Sequence, residues 1–118
     1  MKKFIMSLGL LLAAATAAFA GDKPEFPGGD EALKAYIEKN LQYPSHAKQN
    51  GVEGIVNVQF AVMPDGSIGT IKIVRMVDPD LEQEAIRLVK NMPAWTPADK
   101  NGVAVESTAQ VAVPFVLD

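Results

Sequence analysis

The side chains that could do chemistry in this chain are few. His46 is its one histidine, and it sits in a short polar turn with no evident catalytic partner, which reads as a solvated surface imidazole rather than a general base. Asp78, Asp80, Glu82 and Glu84 alternate like a cation loop. They lack the glycine at position six and the acid at position twelve of an EF-hand, so they read as cap and dipole residues. Asp30 and Glu31, at the start of a helical pattern, carry the same reading. Gly28-Gly29-Asp30 has too few glycines for a phosphate loop and no following Lys-Ser/Thr. Ser45, Ser67 and Ser107 have no nucleophile elbow around them. With no cysteine, the chain has no thiolate nucleophile, thiolate zinc site, redox pair or disulfide framework. The expectation is a non-enzyme with no catalytic residue, no metal and no cofactor.

Composition narrows the partners. The 118 residues carry a formal charge of −3, but 15 of the first 20 are hydrophobic and only Lys2 and Lys3 among them are charged. The other 98 hold 9 Lys/Arg against 14 Asp/Glu, near −5. That suits one domain, and the absence of any basic cluster argues against binding nucleic acid or an anionic membrane.

Residues 1–20 read as a signal peptide: the basic Lys2-Lys3, the apolar run from Phe4 to Leu12, and Ala18-Phe19-Ala20 ahead of Gly21 as an A-x-A cleavage site. Cleavage would leave a mature chain that begins at Gly21 and works outside the cytoplasm. The alternative is an uncleaved inner-membrane anchor, since the uncharged stretch from Phe4 to Ala20 reaches roughly 26 Å as a helix, near the lower limit for a span. No cysteine lies near residue 20 to carry a lipid. Residues 21–29, GDKPEFPGG, with two prolines and three glycines in nine residues, read as an extended leader without a core role. Residues 30–118 read as the folded domain.

The elements of that domain follow from periodicity. Asp30 is the expected cap of a helix whose Leu33, Tyr36, Ile37 and Leu41 share a face. Tyr43-Pro44 ends it, Ser45 is the expected cap of a second short turn, and Asn50-Gly51 closes that turn with a left-handed residue. Val56, Val58, Phe60 and Val62 alternate with Asn57, Gln59 and Ala61, a strand period. Met63-Pro64-Asp65-Gly66-Ser67 is turn chemistry leading to a second strand over 68–76. Asp80 is the expected cap of the main helix, with Leu81, Ala85, Leu88, Val89 and Met92 as its apolar stripe. Pro93 ends it, Trp95 reads as a core plug rather than a ligand-stacking ring, and a last strand is expected over 103–117.

The fold class is thus α+β: a three-stranded antiparallel sheet, order 2-1-3, with helices packed on one face. The crossover through the main helix puts the first strand in the middle, so the last strand is an edge, as Pro114 within it agrees. Its unpaired N–H and C=O groups are a template for another strand. A cover by the leader or by a symmetric partner, giving a homodimer, is one reading; strand addition by an extended peptide is the other.

Taken together, these residues resemble the C-terminal domain of the TonB family of energy transducers, in the form common in Bacteroidetes. The resemblance runs through Pro24-Glu25-Phe26-Pro27-Gly28-Gly29, Tyr43-Pro44 with Ala47, Gly54-Ile55-Val56-Asn57-Val58-Gln59-Phe60 and Pro64-Asp65-Gly66-Ser67-Ile68. It continues in Val77-Asp78-Pro79-Asp80-Leu81 with Glu84-Ala85, Met92-Pro93-Ala94-Trp95-Thr96-Pro97, Asn101-Gly102 and Val113-Pro114-Phe115.

The resemblance implies a periplasmic domain whose last strand pairs with the TonB box of outer-membrane receptors in TonB-dependent transmembrane transport. Carried over, the pairing stretch comprises Val105, Glu106, Ser107, Thr108, Ala109, Gln110, Val111, Ala112 and Val113. The residues that approach the receptor correspond to Asn40, Leu41 and Gln42 with the Tyr43-Pro44 pair. Full transducers also carry an uncleaved anchor that meets the ExbB–ExbD motor and a long proline-rich spacer. With a cleavable leader and nine residues ahead of the domain, the expectation here is a free-standing domain without that motor contact. A self-associating adaptor domain that transduces no energy is the alternative.

Overall fold

The computed structural model describes residues 21–118. The signal peptide and cleavage site expected over 1–20 lie outside the described residues.

Helix α1, Asp30–Asn40, starts directly after two left-handed glycines, Gly28 at φ +90° and Gly29 at φ +87°. Gly29, not Asp30, is the N-cap and no side chain caps the end; Asp30 and Glu31 instead sit in the first turn, where the helix dipole favours acids. Helix α2, Ser45–Gln49, likewise includes Ser45 and takes Pro44 as its N-cap. Gly51 is left-handed at φ +67°, as Asn50-Gly51 led one to expect.

Strand β1, Gly54–Val62, buries Val56, Val58, Phe60 and Val62 in strict alternation. The turn after it is closed by Met63 N–H on the Ser67 carbonyl at 2.9 Å and by the Asp65 carboxylate, which accepts the Ser67 N–H and hydroxyl. Strand β2, Ile68–Ile73, is shorter than the expected 68–76; beyond it, Val74 makes one further bond to the Asn57 carbonyl.

Helix α3, Pro79–Lys90, is capped by Asp78, whose carboxylate accepts the N–H groups of Asp80 and Leu81. The expected cap was Asp80. Pro79 decides the matter, because proline lacks an N–H and its fixed φ suits the first helical position, so the cap falls on the residue before it.

The largest departure lies in the last strand. Strand β3, Ala98–Lys100, pairs with β4, Val103–Val105, across Asn101 (φ +55°) and Gly102 (φ +83°). Two consecutive left-handed residues make the tight turn that Asn-Gly favours between strands. This small hairpin draws Val103–Val105 out of the main sheet, Glu106 belongs to no strand, and β5 spans Ser107–Phe115. All nine residues of β5 pair with β1, from Gly54 opposite Phe115 to Val62 opposite Ser107. The main sheet therefore has the order β2-β1-β5, with antiparallel neighbours throughout.

The core lies between the inward face of this sheet (Val56, Val58, Phe60, Val111, Val113, Phe115) and the helices, which supply Ile37, Ala47, Leu81, Ala85, Leu88 and Val89. Trp95 plugs one end, edge-on to Phe60 at 5.2 Å between ring centres.

The segment before α1 also enters that core, contrary to the reading of 21–29 as a leader without such a role. Phe26 is only 6 % exposed and packs edge-on to Trp95. Glu25 and Thr96 exchange two backbone hydrogen bonds of 2.9 and 2.8 Å; the Asp99 N–H donates to the Gly21 carbonyl at 2.6 Å, and the Gly21 N–H to the Asp99 carboxylate at 2.9 Å. One aromatic in a proline- and glycine-rich stretch carries no periodicity, so its burial left no pattern to read.

Candidate functional site

The free side of β5 is the feature that could receive a partner. Among the described residues this strand pairs only with β1, so its other side is a sheet edge. Val111 and Val113 face the core, whereas Thr108, Gln110, Ala112 and Pro114 are exposed. Of the expected pairing residues, Ser107 to Val113 lie on this edge strand; Val105 lies in β4 and Glu106 in the break, so these two are not part of the edge.

Beside the edge runs a groove of about 380 Å³, lined on one side by Gln110, Val111, Ala112 and Pro114. Its other wall is α1, through Asp30, Leu33, Lys34, Ile37 and Glu38. These positions are i, i+3, i+4, i+7 and i+8, one face of a helix. Ile37 turns into the core, and the half-buried Leu33 packs beside it. The wall is therefore apolar at its centre, with Asp30, Lys34 and Glu38 on its rim.

The second group of expected residues lies elsewhere. Asn40 ends α1, and Leu41, Gln42, Tyr43 and Pro44 join it to α2. Gln42, Tyr43 and Pro44 line a separate, more polar cleft of about 610 Å³ against Asp80, Gln83, Glu84 and Arg87 of α3. The two expected groups thus do not converge on one groove.

Glu84 and Arg87 anchor this connection. Glu84, 8 % exposed, accepts the Gln42 N–H at 2.7 Å and both Nε and Nη2 of Arg87 at 2.7 Å. Arg87 Nη2 also donates to the Asn40 carbonyl at 2.9 Å. The hydrogen bond to Glu84 holds the Arg87 guanidinium above its already high pKa. Tyr36 donates its hydroxyl to the Leu88 carbonyl at 2.7 Å, and burial raises its pKa above the ordinary 10.0. Tyr43 donates to the Val52 carbonyl and stands edge-on to Phe115, joining the connection to the end of β5. Glu84 escaped sequence reading because it looked like one more exposed acid beside the stripe; its spacing of three from Arg87 was the available signal.

The remaining candidates for chemistry disperse. His46 is 79 % exposed, as a surface imidazole should be, although it does have a partner: Asp80 Oδ2 lies 3.3 Å from its Nδ1. Asp78 caps α3, and Glu82 accepts the Val77 N–H at 2.6 Å. Among the described residues, no group of three or more His, Cys, Asp or Glu gathers to hold a metal. Nor is any described helix long and apolar enough to cross a membrane.

An α+β scaffold whose three-stranded antiparallel sheet has β2 and β5 at its edges, with helices packed against it and α1 standing beside β5, defines the class of domain. The C-terminal family of Gram-negative bacterial TonB proteins matches residues 39–117, and the chain belongs to this family. Among solved structures, the fold is similar to the solution structure of the Pseudomonas aeruginosa TonB C-terminal domain. That match has a TM-score of 0.54 and 25 % identity, covering 66 % of this chain and 79 % of that one. It is also similar to the Helicobacter pylori TonB C-terminal domain, residues 179–285, with a TM-score of 0.51 and 28 % identity over 73 % of this chain and 79 % of that one. A shorter form of the same domain, residues 194–285, matches at TM-score 0.52 and 26 % identity, over 70 % and 88 %. No curated protein matches the chain. Membership in the family associates the chain with TonB-dependent transport and with outer-membrane receptors in general, through domains that are not enzymes.

Proposed function

We propose that this protein works in the periplasm, where it binds the TonB box of an outer-membrane receptor as an added strand along β5. The observation that carries the reading is the nine-residue β5, which among the described residues is hydrogen-bonded along one side only, to β1. Buried backbone groups need partners, and an edge strand offers its free ones in the geometry of a further strand. Six added backbone hydrogen bonds at about 1 kcal/mol each give roughly 6 kcal/mol. Association itself costs about 4–15 kcal/mol. Backbone pairing alone therefore gives weak, readily reversible binding, and any tighter complex needs side-chain contacts.

The test is a titration of the ¹⁵N-labelled protein with N-terminal peptides of TonB-dependent receptors. Amide shifts along Ser107–Phe115 are expected, and unchanged β5 amides at millimolar peptide overturn the reading.

A further inference from the structure

Backbone pairing recognises an extended chain but reads little of its sequence; pockets for alternate side chains supply the selectivity. The α1 wall is placed to do this. From Asp30 to Glu38 the helix advances about 12 Å at ~1.5 Å per residue. From Gln110 to Pro114 the strand advances about 13 Å at ~3.3 Å per residue. The two walls of the groove thus match in length. A strand added along β5 turns every second side chain to the helical side of the sheet, ~6.6 Å apart. Three such side chains fit the span from Asp30 to Glu38. They meet an apolar centre, where Leu33 is half-buried above the buried Ile37 and Val111. At either end they meet a carboxylate, with the single ammonium of Lys34 between.

The geometry points to α1 as the reader of the added strand's side chains, with Leu33 its main specificity-determining residue. The occupant it fits is an extended peptide of another protein, apolar at alternate positions and basic rather than acidic at its ends. This deepens the strand-addition reading and rests on it.

Two blocked peptides test the inference against the ¹⁵N-labelled protein: one alternates valine and threonine between terminal lysines, and in the other every valine is threonine. Both can pair through their backbones. The alternating peptide is expected to bind about tenfold more tightly, from the additional apolar surface buried. It should shift the amides of Asp30–Glu38 as well as those of β5. Leu33→Ala, checked for an intact amide spectrum, should reduce the preference to below about twofold. Lys34→Glu, at an exposed position that does not threaten folding, should tighten binding of the lysine-flanked peptide about threefold at low salt.

Equal affinities for the two peptides, or shifts confined to β5, overturn the role of α1 and leave strand addition standing. No shift with either peptide overturns strand addition itself. Shifts in β5 that depend on protein concentration without peptide mean that a second copy fills the groove, which overturns both.

Discussion

Glu84 and Gln42, 42 residues apart in the chain, are joined by a 2.7 Å hydrogen bond from the Gln42 N–H to the buried carboxylate. That carboxylate is held in turn by two nitrogens of Arg87, which also reaches the Asn40 carbonyl. The end of α1 is thereby fixed to α3, and with it the wall beside the β5 edge.

Arg87→Ala leaves the Glu84 carboxylate in the interior with the Gln42 N–H but without its counter-ion. Removing one partner of such a pair is costly, yet the Arg87 side chain is 39 % exposed and solvent screens part of the interaction. The expected loss is about 1–3 kcal/mol in urea denaturation. Arg87→Lys should recover little of it, because an ammonium cannot reproduce the two-pronged contact with Glu84 and the bond to Asn40 together.

Phe26→Ala tests whether the segment before α1 belongs to the folded unit. Its ring lies 5.6 Å from Tyr36 and 5.8 Å from Trp95. Truncation should destabilise by about 3 kcal/mol. Trp95 emission, from the chain's one tryptophan, should move to longer wavelength as water reaches the ring.

Two glycines of the same backbone class should respond differently to alanine. Gly66 and Gly51 are both left-handed, at φ +88° and +67°, but a β-carbon at 66 would overlap the Trp95 carbonyl oxygen while one at 51 meets open space. Gly51→Ala should cost about 1 kcal/mol, the backbone term alone. Gly66→Ala should cost distinctly more, because the Trp95 N–H bond to the Gly66 carbonyl must also shift. Thermal midpoints of the two variants compare them directly.

The tyrosines give a pH test. Burial raises the Tyr36 pKa above 10.0, with Arg87 opposing and Glu84 adding to the effect. Tyr43 is raised by desolvation and then by Glu53. A group whose folded pKa is raised contributes stability that is fully present below its unfolded value and is lost as pH climbs through the folded one. Since these are the chain's two tyrosines, tyrosinate absorbance should reach its midpoint above pH 10, returning toward 10 when the protein is unfolded in urea. In Tyr36→Phe the bond to the Leu88 carbonyl is lost, at a cost of about 1 kcal/mol at neutral pH.

Most of the secondary structure was legible because its rules are local. Val56, Val58, Phe60 and Val62 announce a strand, and Leu81, Ala85, Leu88 and Val89 a helix, by period alone. The caps were less legible: Asp78 and Asp80 are equivalent residue types two positions apart, and only Pro79 separates them. Val103 and Val105 share the parity of β5, so the period carried through the break that the Asn101-Gly102 turn makes. The edge strand was therefore readable from Ser107 onward and misjudged before it.

By itself the sequence determined the element types, the sheet order and the place of the last strand at an edge. All rest on periodicity, turn residues and the constraints on a crossover connection. Only the tertiary structure decided that Phe26 enters the core, that Glu84 is buried as an anchor, and that α1 faces β5 across a groove while residues 42–44 face α3. These depend on contacts between residues dozens of positions apart, and a side chain's type and neighbours in sequence do not say what packing brings against it.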